Sequence, residues 1–342
     1  MAAVADQTTS GGMGRFSIFA IWVMPLLTAL VLVEIFRLVT GRPRPGQPVG
    51  AVETIAVGLI AIVMTVLDAQ NIADGLRNGR LVAADGDRFL WLTTITFVGM
   101  MALTVILCFQ IRMPGFRNAF WLLWSVPLLA GIPEQIGWQF DLFRTGAAAA
   151  NHWLIFCGAH VVFIVAVIVI AALWRSACIP SVETRNASIG VPLEILIWPV
   201  FLATLLAPLA KSVLVFAMFN ILPALSDPIG WELTGLWIFI AELNLGYSNA
   251  IQIVLSALFI PFLVCAYIRH NRSVIRPDAP VALIGIAIAL VQIAVLTLPE
   301  LMAWNWGFMS VGGTGILAIT LTILGLAKTF PLFARNREPA EA

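Results

Sequence analysis

Apolar runs near 20 residues long recur from one end of this chain to the other, and that recurrence constrains the fold before any motif does. A run of this length crosses the ~30 Å hydrocarbon core of a bilayer as an α-helix, the open-ended structure that satisfies every backbone N–H and C=O within its own segment. With 61% hydrophobic and 11% charged residues, no stretch is polar enough to build a soluble domain. The expected fold is all-α: a polytopic integral membrane helix bundle. Runs bounded by Arg, Pro and Gly predict about nine transmembrane helices, at 16–37, 51–74, 89–111, 118–138, 151–174, 190–222, 235–269, 280–303 and 312–333. Residues 1–342 read as a single membrane domain with polar tails at 1–14 and 335–342. The apolar run after Arg15 is too long for a cleaved signal peptide and reads as the first spanning helix. The segment 231–247 reads as re-entrant, interfacial or the outer part of the seventh helix.

Charge sets the expected orientation. Arg37, Arg42, Arg44, Arg112, Arg117 and Arg175, then Arg269, Arg272, Arg276 and Lys328, fall on one side of such a bundle. The positive-inside bias makes that side cytoplasmic, with the N-terminus outside and the C-terminus inside a cell (inner) membrane. A net charge of +1 with no basic arm or patch argues against a nucleic-acid partner. The four cysteines have neither C-x-x-C nor metal-ligand spacing, and three histidines are too few and too scattered to suggest a metal site. No motif calls for a cofactor. The expected partners are membrane lipids and a hydrophobic small molecule or a transported solute.

One short string is written twice. Residues 133–140 read PEQIGWQF and residues 299–306 read PELMAWNW, each at the end of an apolar run. Upstream of each stands Cys-x-x-Ile-Arg, at Cys108–Arg112 and at Cys265–Arg269, so the same order recurs about 160 residues on. This predicts a parallel four-helix repeat, units 16–140 and 151–306, with 312–333 as an additional C-terminal helix. Glu and Trp four residues apart share a helix face, where a ring can cover a carboxyl and favour its protonated form. The plain architectural alternative is a Trp in the interfacial belt, with Pro at the helix end and Glu reaching water.

An ionisable side chain at mid-bilayer costs roughly 2.5 kcal/mol or more, so each one inside an apolar run is a functional candidate. Six helices carry them: Asp68, Glu134, His160, Lys211, Glu242 and Glu300. Lys211, beside Pro208, must pair, become neutral or line water; its structural alternative is a buried ion pair. His160 is either an acid/base group or a helix-to-helix hydrogen bond. Glu242, Gly246, Asn249 and Ser256 share one helix face, and Thr65, Asp68, Asn71 and Asp74 step by three along the end of the second helix. Glu34, Glu53 and Glu194 sit near inner ends, can reach the headgroups or a nearby Arg, and read as interfacial anchors.

Three functional readings follow. The first is a membrane-embedded acid/base enzyme on a lipid or isoprenoid near the outer leaflet, with Glu134, Glu300, Asp68 and His160 as catalytic groups. Trp138, Trp304, Lys211, Glu242 and Asn249 would then bind substrate. The second is a proton- or cation-coupled transporter built on Lys211, Asp68 and Glu242. The third is a non-catalytic or quinol-handling subunit of a larger membrane complex. The helix layout, with Asn71 and Asp74 after the second helix, faintly resembles the intramembrane aromatic prenyltransferases, but of the second aspartate-rich motif only Asp227 is present. The Pro-Glu units are slightly similar to the Pro-x-Glu-Glu strings of membrane lycopene cyclases, without their second acid.

Overall fold

The computed structural model describes residues 23–41, 50–78, 86–111, 113, 115–146, 149–179, 193–220, 248–306 and 312–327. These form nine α-helices: α1 Met24–Thr40, α2 Ala51–Asn78, α3 Gly86–Gln110, α4 Phe120–Arg144, α5 Ala150–Ala177, α6 Trp198–Asn220, α7 Ser248–His270, α8 Val281–Trp306 and α9 Gly312–Ala327. Among the described residues there is no strand, only an isolated bridge between Cys178 and Ile275. Within α2, α3, α5, α7 and α8 lie five spans long and apolar enough to cross a membrane. The nine apolar runs thus become nine helices, with differences at their ends. α4 continues six residues beyond the expected stop at 138 and carries Pro127 and Pro133 inside it. A proline removes one N–H, which a spanning helix tolerates when the freed carbonyl is met locally or by a neighbour. The run expected at 190–222 opens instead with a 3-10 turn, Glu194–Leu196, before α6 begins. All of 231–247 and both tails lie outside the described residues.

The chain divides into two compact units. The first runs to Met113 and resumes at Arg117–Trp124. In it α2 packs against both α1 and α3. α1 stops where Gly41 takes a left-handed φ of 67° and returns its N–H to the Arg37 carbonyl at 2.8 Å. Glu34 is not an exposed anchor: it is buried and paired with Arg37 one turn on. Arg117 binds Glu53 at 3.0 Å.

The second unit comprises Pro114–Phe116 and Ser125 onwards. Here α8 is the shared wall, packed on α5, α6, α7 and α9, while α7 also packs on α6 and α5 on α9. Two features seat α8. Its Gln292 is buried and donates through Nε2 to the Ile195 and Leu196 carbonyls at 3.1 and 2.9 Å, in and beside the 3-10 turn. At its other neighbour, a Cβ on Gly313 would collide with the Val295 carbonyl and stand 2.6 Å from the Leu296 Cα, so only a hydrogen fits where α9 meets α8. Ser125 of α4 and Thr322 of α9 share a hydrogen bond of 3.1 Å. The end of α5 is tied to the loop after α7 by Ile179 N–H to Val274 O and Arg276 N–H to Ala177 O, both 2.9 Å. Burial at that tie pushes the Cys178 thiol up to about 12.

Candidate functional site

A pocket of about 280 Å³ lies in the second unit, walled by α4, α5 and α9. Each helix contributes one face. From α4 come Ile132, Gln135, Ile136 and Gln139, spaced i, i+3, i+4 and i+7. From α5 come Phe156, Cys157, His160 and Ile164, and from α9 Ile316, Ile319 and Thr320. The wall is mainly isoleucine and aromatic, with amides, a hydroxyl, a thiol and an imidazole set among them and no charged residue. That composition suits an uncharged, largely apolar molecule.

His160 is the sequence-predicted site residue that the pocket contains. Its Nδ1 lies 2.8 Å from the Phe156 carbonyl. A carbonyl oxygen can only accept, so Nδ1 carries the hydrogen and Nε2 is the acceptor atom of the neutral ring. The ring packs 4.3 Å from that of Phe156, centroid to centroid, which holds the imidazole plane in place.

The other candidates are not brought into this wall. Neither Glu134 nor Trp138 lines the pocket: at 100° per residue Glu134 falls opposite the face formed by 132, 135, 136 and 139, and Trp138 falls at its flank, beside Gln135. Both are exposed, Trp138 at 43%. Glu300 is exposed on α8, its carboxylate 3.4 Å from where a Cβ on Gly312 would stand at the start of α9. Asp68 belongs to the first unit, half-buried on α2. Along its stripe exposure rises from buried Thr65 to exposed Asn71 and Asp74. Lys211 is half-buried on α6. Glu242 lies outside the described residues, as do the side chains of Asn249 on α7 and Trp304 on α8. Among the described residues no three His, Cys, Asp or Glu side chains group closely enough to hold a metal ion.

Gln135, Gln139, Cys157 and Thr320 are pocket residues that the sequence reading passed over. The signal was present in Gln135 and Gln139: two amides four apart in an apolar run, inside the doubled string itself. The acid and the tryptophan beside them drew the attention instead.

No family model matches the chain. It is similar to the protein translocase subunit SecY of Rickettsia felis and of Rickettsia conorii, at 28% identity over 172 residues in each case. The same subunit of Rickettsia bellii is 25% identical over 173 residues. Each match covers 48% of this chain and 40% of the relative, so the chain spans about two fifths of the length of the curated relatives it matches. The apolar spans and these relatives together make this a multi-pass, all-helical membrane protein, similar over about half its length to SecY translocase subunits.

Proposed function

We propose that this membrane protein binds an uncharged, lipid-soluble molecule of the lipid or isoprenoid class between α4, α5 and α9, with His160 as the acid/base group beside it. One observation carries the reading: a mainly apolar wall without a charged residue, into which a tautomer-fixed imidazole is set. Acid/base work falls to His160 rather than to Glu134 and Glu300, because neither carboxyl belongs to that wall. The orientation set by the arginines, N-terminus outside, and an inner-membrane location are part of this proposal, as is the duplicated four-helix unit behind the doubled string.

The test is lipid mass spectrometry on the protein purified in native-membrane nanodiscs. A neutral lipid enriched over the bulk membrane is expected with the wild type. It should be lost in Ile136→Trp, which fills the pocket, and fall about tenfold in His160→Ala, the loss of a buried polar contact. Identical lipid profiles for wild type and Ile136→Trp overturn the proposal.

A second reading, a subunit of a larger membrane complex, is favoured by the likeness to proteins named as translocase subunits. Native electrophoresis of gently solubilised membranes tests it. Migration with other chains supports a subunit, and migration as this chain alone counts against one.

A further inference from the structure

Two polar side chains in the pocket wall behave unlike their counterparts elsewhere. Thr65, Thr94, Thr104 and Thr297 each return the hydroxyl to the carbonyl four residues back, at 2.7 to 2.9 Å. That is the usual refuge of a hydroxyl in an apolar helix. Thr320 is 6% exposed, yet no hydrogen bond joins it to any described residue. The half-buried Gln135 side-chain amide likewise has no hydrogen bond to any described residue. They stand on different helices, α9 and α4, and line one cavity. Both polar groups open onto the cavity and have no partner in the described wall, so they are placed to meet a ligand that offers each a hydrogen bond.

The rest of the wall restricts that ligand. A prenyl phosphate would bring negative charge to a site with no cation in its wall, and a plain hydrocarbon would leave Gln135 and Thr320 unmet. At about 280 Å³ the cavity lies just under the ~300–1,000 Å³ usual for small-molecule pockets, a size for one ring rather than several. The flat Phe156 and His160 rings offer an aromatic surface for stacking. Resting on the pocket reading above, we propose that the site takes the head of a quinone-type lipid. This is a single uncharged ring bearing two oxygen functions, one meeting Gln135 and the other Thr320, with an apolar tail matched by the isoleucines.

Isothermal titration of the full-length protein in detergent tests this with two probes, a decyl-substituted benzoquinone and decylbenzene, which share a ring and tail and differ in the oxygens. The quinone should bind at least about tenfold more tightly, two hydrogen bonds against none. Gln135→Leu and Thr320→Val should each reduce quinone affinity about fivefold and leave decylbenzene unchanged, while Thr320→Ser, which keeps the hydroxyl, retains the preference. Equal affinity for the two probes overturns the quinone assignment and leaves the apolar-pocket reading standing. Binding of neither probe overturns both.

Discussion

The two copies of the Pro-Glu string occupy unlike places. In α8 the string belongs to the helix that packs on four others: Pro299 is buried and Glu300 lies beside the first residue of α9. In α4, Pro133, Glu134 and Trp138 are exposed, and the opposite face of the helix lines the pocket. Aligned copy on copy, the matched residues are the Pro, the Glu and the Trp, whereas Gln135 faces Leu301 across the alignment. Of the two pocket amides in the string, Gln135 thus stands where the copies differ, while Gln139 stands opposite another amide, Asn305. A shared string sets a helix and a proline position; what a neighbouring helix buries decides which of its residues work.

The sharpest way to break this contrast is at glycine. Gly313→Ala should destabilise the protein by about 3 kcal/mol, because the added methyl meets the backbone of Val295 and Leu296 and α9 must move off α8. Thermal unfolding in detergent reads this. A loss below ~1 kcal/mol would mean that α8 is not locked in the way its burial implies. Next is Gln292→Leu, expected to cost about 2 kcal/mol because two buried carbonyls, Ile195 and Leu196, lose their donor. The Gln292 Oε1 has no hydrogen-bond partner among the described residues, so removing it recovers part of that cost.

The helices were legible in the sequence because each apolar run, flanked by Arg, Pro or Gly, has one physical solution in a bilayer. What was less legible has a physical cause in each case. The end of α4 lies beyond the expected 138 because the polar residues after Trp138 end the apolar run without ending the helix. The pocket was hidden because composition does not say which helices meet; His160 was found by its charge chemistry, while Gln135 and Thr320 are neutral and common. Glu34 meets a nearby Arg, Arg37, as one of its two expected surroundings, but spacing alone does not show that the pair is buried. Glu134 and Trp138 of the doubled string lie off the pocket wall, whereas Gln135 and Gln139 of the same string line it.

A smaller effect of opposite sign tests the exposed copy. Around Gly137 a Cβ would meet nothing within 4 Å. Gly137→Ala should therefore stabilise by about 0.5–1 kcal/mol through helix propensity alone, measured in the same unfolding assay. Set beside Gly313→Ala, the same chemical change is expected to move stability in opposite directions in the two helices. Destabilisation at Gly137 would mean that this part of α4 is covered after all.

The smallest expected effect is the most informative about mechanism. Glu134→Gln and Trp138→Ala alter the residues that make the string conspicuous, yet both lie off the pocket wall and are exposed. Exposed substitutions away from packing usually stay within ~0.5 kcal/mol, so stability should hold in both variants. Ligand retention should hold as well, since neither 134 nor 138 lines the pocket, Glu134 lying opposite its face and Trp138 at its flank. The measurement is the enriched-lipid signal of the nanodisc experiment, with His160→Ala in parallel as the variant expected to fall. If Glu134→Gln lost the ligand while His160→Ala kept it, the carboxyl would be the working group and α4 would have to present its other face. If both held while His160→Ala fell, the string would be a marker of helix position and the residues between its conserved letters would carry the chemistry.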